Sequence, residues 1–210
     1  MKKTYGKFIT IEGCEGVGKS TQMRFLKEYC EHHNIGAVFT REPGGTPTAE
    51  KIRSVILDPG NENMDNLTEL MLYAASRRQH TAELILPALK NGKTVFCDRY
   101  TDSTLAYQGY GRGIDKKRIM QLNAWAAGEA AIDYTVFIDL PPSLGFKRKG
   151  GADKSDRLER EDLAFHEKVY SGFKQIEKAN RKRFLSVNPD GDKYDTHHKI
   201  VALLKQKGIF

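Results

Sequence analysis

The segment Gly13-Cys14-Glu15-Gly16-Val17-Gly18-Lys19-Ser20 constrains what this chain can fold into more than any other stretch. It fits G-x-x-x-x-G-K-[ST] in full, between the β-rich run Phe8-Ile9-Thr10-Ile11 and a segment from residue 19 to about 34 with helical potential. In that setting the glycines let consecutive backbone N–H groups turn inward around phosphate oxygens. The helix N-terminus adds positive potential, Lys19 neutralises charge, and Ser20 offers a Mg²⁺ ligand. Thr21 joins the same phosphate-binding set. A strand must deliver such a loop and a helix must leave it.

The rest of the chain continues the alternation. Strand candidates are Ala37-Val38-Phe39-Thr40, Thr94-Val95-Phe96-Cys97, Tyr134-Thr135-Val136-Phe137-Ile138 and Phe184-Leu185-Ser186-Val187. Apolar residues recur at helical spacing over 67–90, and helices are also expected over about 116–127, 163–180 and 197–207. Nearly all-apolar strands between helices predict an α/β fold of the P-loop three-layer αβα type, a five-stranded parallel sheet with helices on both faces. Arg41-Glu42-Pro43-Gly44-Gly45 breaks regular structure and reads as a loop of functional surface. The densely charged stretch 147–161, with Gly150-Gly151 inside it, reads as a mobile lid.

With 210 residues the chain suits a single domain over 1–210, and 39% hydrophobic against 29% charged residues separates it from disordered sequences. Three cysteines, Cys14, Cys30 and Cys97, are odd in number and widely spaced, which speaks against a disulfide framework or a cysteine zinc site. No apolar run approaches the roughly 18 residues of a membrane helix. Met1 to Gly6 contains no secretory apolar region, so no membrane and a cytoplasmic location are expected. The net charge of +7 comes from Lys and Arg mixed with acids, a pattern suited to small polyanions and not to nucleic acid.

A nucleotide site of this kind needs an acid at a neighbouring strand end, near the metal, and Asp98 meets that requirement. Where the γ-phosphoryl goes is the next question. The N-K-x-D and D-x-x-G patterns of a GTPase do not occur in the sequence. A kinase for a nucleoside monophosphate needs arginines for a dianionic phosphate, a platform for a base, and a lid that excludes water. Arg53 and Arg99 fall in or near the loops beyond the second and third strands, where ligands of an open parallel sheet collect. Arg77 falls on the inward stripe of the long helix, where a charge that cannot be shed needs a partner, and Tyr73 stands one turn before it. Each of these has a plain structural reading as well, an ion pair or packing.

In order along nearly the whole chain, the segments Phe8-Ile9-Thr10-Ile11-Glu12-Gly13, Thr40-Arg41-Glu42-Pro43-Gly44-Gly45-Thr46-Pro47, Tyr73-Ala74-Ala75-Ser76-Arg77, Asp98-Arg99-Tyr100, Ser103-Thr104-Leu105-Ala106-Tyr107-Gln108-Gly109 and Asp156-Arg157-Leu158-Glu159 resemble the bacterial-type thymidylate kinases. The resemblance implies transfer of the γ-phosphate of ATP to dTMP with Mg²⁺, and a homodimer. A kinase for another pyrimidine nucleotide or a deoxynucleoside, and a non-kinase nucleotide switch, are the competing readings.

Carried over by position, the resemblance implies that thymine stacks on Tyr73, where the family more often has Phe. Arg77 and Gln108 would bond its polar edge with Thr104 beside them, and Tyr107 would pack beneath the sugar. Arg53 and Arg99 would hold the acceptor phosphate, and Asp98 and Glu42 would organise Mg²⁺ or position the acceptor. Some relatives carry a catalytic arginine in the phosphate loop; Glu15-Gly16 has none, so the lid must supply it. Among Lys147, Arg148, Lys149, Lys154, Arg157 and Arg160, the sequence favours Arg148 and Arg157. The nucleophile is a phosphate oxygen already mostly anionic at neutral pH, its second pKa being about 6, so no histidine base is required. The six histidines read as surface or packing residues.

Overall fold

A computed structural model of the chain describes residues 5–150 and 156–210, without the side chain of Lys149. The strands β1 (Phe8–Glu12), β2 (Ala37–Arg41), β3 (Thr94–Asp98), β4 (Tyr134–Ile138) and β5 (Phe184–Val187) form an all-parallel sheet in the order β2-β3-β1-β4-β5. Helices α1 (Lys19–His32), α2 (Pro47–Leu57), α3 (Asn66–His80), α4 (Leu86–Lys90), α5 (Thr101–Thr104), α6 (Lys116–Ala127), α7 (Pro142–Lys149), α8 (Leu163–Ala179) and α9 (Lys193–Gln206) cover it.

Strand alternation explains the layers. Ile9, Ile11, Phe96, Val136 and Leu185 cluster with Leu26 and Cys30 of α1 and with Ile200 and Leu204 of α9. Phe8, Val95 and Cys97 pack instead on Ile85, Ala88 and Leu89, and Phe137 stacks on Phe173 of α8 with ring centroids 5.6 Å apart. Both faces are therefore apolar, as the strands' composition requires. In register, Ile11 lies opposite Asp98, and Asp98 opposite Arg41. Three strands thus end together at the carboxyl edge, where α1 leaves β1 and α5 leaves β3, the place where such sheets bind ligands.

Four elements differ from the sequence reading. The stretch after Pro47 is a helix: Pro47 occupies its first turn, where a missing N–H costs nothing, and Ala49 and Ile56 supply the buried face. The helix expected over 67–90 contains a wide π turn, Thr81–Ile85, ahead of Pro87. That turn accommodates a residue that cannot donate to the helical ladder. Residues Thr101 to Gly111 are also helical, α5 running into a second π turn, Leu105–Gly111. The terminal helix starts at Lys193, not 197, because Asp192 and Asp195 form a reciprocal capping box.

Of the expected lid, residues 147–149 end α7, and residues 156–161 dock on the body. Arg157 N donates to Leu57 O at 3.2 Å, Arg112 pairs with Glu161 at 2.6 Å and Arg160 with Glu62 at 3.0 Å. Gly151 and Lys154 lie outside the described residues. Among the described residues no helix is long and apolar enough to cross a membrane.

Candidate active site

The loop after β1 and the ends of β2 and β3 open into a cavity of about 450 Å³. One end of it is the glycine-rich loop. Gly16 takes φ +71°, and a Cβ there would lie 2.1 Å from the Gly145 carbonyl oxygen of α7, so only glycine fits this turn. Lys19, at the start of α1, folds back and donates from Nζ to Gly13 O at 3.0 Å and Cys14 O at 2.7 Å. Burial first, and then the nearby Arg99 cation, lower its pKa. Glu15, Gly16, Gly18, Lys19, Ser20 and Thr21 line the cavity. Gly13, Cys14 and Val17 do not; they shape the loop from behind. Burial pushes the Cys14 thiol up to about 12, which makes it an inert filler.

Asp98 closes β3 beside Ser20, and both border the cavity. Among the described residues the buried Asp98 Oδ1 atom has no hydrogen-bond partner, an arrangement costly for a carboxylate unless a cation or ligand completes it. A hydroxyl and a carboxylate are hard oxygen donors of the kind Mg²⁺ prefers while it keeps several waters. These residues fit the metal.

Arg99 follows with φ +66°, an uncommon conformation for a residue with a side chain. Glu12 holds this turn: one carboxylate oxygen accepts from Tyr100 N at 2.8 Å and the other from Ser103 Oγ at 2.6 Å. The Arg99 guanidinium then reaches Gly13 O and Ser103 Oγ, each at 3.1 Å, and Glu15 Oε1 at 2.6 Å, above the Tyr107 ring. Tyr107 also donates to Glu15 Oε1, at 2.8 Å. Burial alone would raise the pKa of Glu15, but Arg99, Lys19 and the Tyr107 hydroxyl outweigh it and bring it down to about 2.

The other end is built from α2, α3 and the helix after β3. Arg53 comes from α2, not from a loop, and donates to Pro43 O at 2.8 Å. Arg77 is buried and held at all three nitrogens. Nε donates to Glu42 Oε2 at 2.8 Å, Nη1 to Asn123 Oδ1 at 2.6 Å and Nη2 to Thr104 Oγ1 at 2.9 Å. Gln108 donates from Nε2 to Glu69 Oε1 at 2.9 Å. Since Glu69 can only accept, Nε2 is the amide atom turned toward it, and the Gln108 carbonyl is turned away from Glu69. Glu42, Arg53, Tyr73, Arg77, Thr104 and Gln108 border the cavity, as do Arg99 and Tyr107.

The two lid arginines part company. Arg148 borders the cavity and donates to Pro189 O at 2.9 Å. Arg157 does not border it. Its Nε donates to Ile56 O at 3.1 Å and its Nη2 pairs with Glu69, a fully buried carboxylate that also binds Arg112 and Gln108. A buried carboxylate demands such cations, so in this structure Arg157 is engaged behind the cavity wall. Sequence reasoning also missed Glu12, Glu69, His80 and Asn123. His80 is not surface or simple packing: it is fully buried and bonded to Glu42. The single signal available for it was its place three residues after Arg77.

The family model described as "Thymidylate kinase" matches residues 11–200. The thymidylate kinase of Citrifermentans bemidjiense is 46% identical over 209 residues, covering 96% of this chain and 92% of that protein. That of Lactobacillus acidophilus is 44% identical over 205 residues, covering 96% and 95%. The crystal structure of thymidylate kinase from Ehrlichia chaffeensis superposes with a TM-score of 0.79 at 35% identity, over 96% of this chain and 99% of that one. A phosphate loop facing an arginine-lined acceptor end in one cavity, and likeness of this extent, have one common meaning: the chain belongs to the thymidylate kinase family.

Proposed function

We infer that the protein transfers the γ-phosphoryl group of ATP to dTMP, giving dTDP and ADP. The observation that carries this is the single cavity with Lys19 and Ser20 at one end and Arg53, Arg77 and Gln108 at the other. ATP lies along the glycine-rich loop, and the dTMP phosphate meets it between Arg53 and Arg99. The acceptor oxygen is anionic at neutral pH and needs no general base; the barrier to be lowered is the repulsion between two polyanions. Lys19, Arg99 and Arg148 spread the charge that develops on the moving phosphoryl. Ser20 and Asp98 would hold Mg²⁺, with Glu42 nearby, and the ion, when bound, neutralises charge on the triphosphate oxygens.

Base choice follows from hydrogen-bond polarity. Arg77 presents N–H donors and Gln108 a carbonyl, a pattern that matches the O4 acceptor and N3–H donor of thymine. Cytosine offers an amino group and a bare N3 at the same positions, so each contact becomes donor to donor or acceptor to acceptor. Tyr73 supplies the stacking face, and Tyr107 lies beneath the sugar. Replacing Arg53 with Gln is expected to raise the dTMP KM at least about tenfold with little change in the ATP KM, since a charged hydrogen bond to phosphate is lost. A wild-type dTMP KM in that variant would contradict the phosphate assignment.

The active form is a homodimer. Val55 on α2, Leu67 and Met71 on α3, and Met120 and Trp125 on α6 are exposed on three helices that pack side by side, and Trp125 is 80% exposed. The enzyme works in the cytoplasm, a compartment suited to Cys14, Cys30 and Cys97 as free thiols.

A further inference from the structure

His80 ends α3, three residues beyond Arg77, with no surface exposed and no border on the cavity. Its Nδ1 lies 3.1 Å from Glu42 Oε1 and its Nε2 2.7 Å from Thr40 Oγ1. The other Glu42 oxygen, Oε2, accepts from Arg77 Nε at 2.8 Å. A carboxylate bonded to Arg77 accepts only, so the Nδ1 proton points at Glu42, and the Thr40 hydroxyl, which can donate or accept, pairs with Nε2. Every member of the series Thr40, His80, Glu42, Arg77 is then hydrogen-bonded to the next. The ring is also confined from the side: a Cβ on Gly45 would stand 2.5 Å from Nε2 and 2.6 Å from Thr40 Oγ1. The loop that carries Glu42 therefore closes directly on the imidazole.

We propose that His80 is a positioning residue for base recognition. By donating from Nδ1 it fixes the Glu42 carboxylate against which the Arg77 guanidinium is registered, so the preference for thymine depends on a side chain that never touches the base. The proposal rests on the reading that Arg77 faces the acceptor base. Asn123 and Thr104 secure the remaining Arg77 nitrogens but leave Nε to Glu42 alone. A tilt of Glu42 thus rotates the donors offered to the ligand.

The test uses two isosteres that keep different nitrogens. The amide of His80→Asn reproduces the Nδ1 donor to Glu42, whereas that of His80→Gln reproduces the Nε2 end and abandons Glu42. Steady-state kinetics with dTMP and dCMP are expected to leave the Asn variant within about threefold of wild type. The Gln variant should show a dTMP KM raised about tenfold, a dTMP over dCMP preference reduced by a similar factor, and an unchanged ATP KM. Thr40→Val keeps the imidazole but removes the hydroxyl that holds its Nε2, and should shift the same parameters about threefold, which decides the matter if either His80 variant does not fold. Arg77→Gln serves as the reference. If it loses the dTMP preference while all folded His80 and Thr40 variants keep wild-type values, or if Asn and Gln behave alike, His80 only packs. If Arg77→Gln itself keeps the preference, the base reading fails instead.

Discussion

Glu12 shows how much one buried carboxylate can carry. Burial, with the Asp102 carboxylate adding to it, raises its pKa to about 7, although Ser103, Arg99 and the Tyr100 amide pull the other way. A value above that of the unfolded chain means the folded protein binds this proton more tightly. Glu12 therefore favours the fold most below its ordinary pKa of 4.5, and that contribution is lost as pH rises through about 7. Glu12→Gln removes the dependence. Urea unfolding between about pH 5 and pH 8 should show the wild type losing up to about 3 kcal/mol more stability than the variant. Parallel pH profiles for the two would contradict this. Arg157 is the second case. Because it pairs with buried Glu69, Arg157→Ala should destabilise on the order of 3 kcal/mol and raise the dTMP KM through Gln108; a loss of kcat with unchanged stability would return it to the phosphoryl. Lys19, Ser20, Asp98 and Arg77 were legible in the sequence because loop spacing or an inward stripe marks them. Glu12, Glu69, His80 and Asn123 were not, since each acquires its role from a partner 35 or more residues away, as Glu12 does from Tyr100 88 residues on.

Among the elements, the phosphate loop and α7 meet backbone to backbone. A Cβ on Gly145 would meet the Glu15 carbonyl oxygen at 2.1 Å, and neither partner is a flexible side chain. Gly145→Ala should therefore displace the loop, lowering the thermal midpoint by several degrees, roughly what a loss of 1–3 kcal/mol produces, and weakening ATP binding. Calorimetry and an ATP titration matching wild type would refute the contact. The five strands were readable because buried parallel strands are apolar nearly throughout. α2 was not, because the breakers Pro43, Gly44 and Gly45 stand just ahead of it and mask the helix that Pro47 begins. The π turns were equally silent, since their periodicity differs from an α-helix by a single residue.

In the whole molecule one cavity spans the point where α1 and α5 leave the sheet, and the proposed function places both nucleotides in it. Its exposed apolar face on α2, α3 and α6 predicts a sedimentation mass of twice 23.7 kDa, and a Met71→Glu, Trp125→Glu double variant should sediment as a monomer. A wild-type monomer would exclude the dimer. The central claim concerns the acceptor, and the direct measurement is product analysis after incubation with Mg-ATP and, separately, dTMP, dUMP, dCMP, UMP, thymidine or no acceptor. Diphosphate is expected to form fastest from dTMP and slowly from the other monophosphates, with no product from thymidine. ATP bound without transfer to any acceptor, or transfer to thymidine as fast as to dTMP, would contradict it.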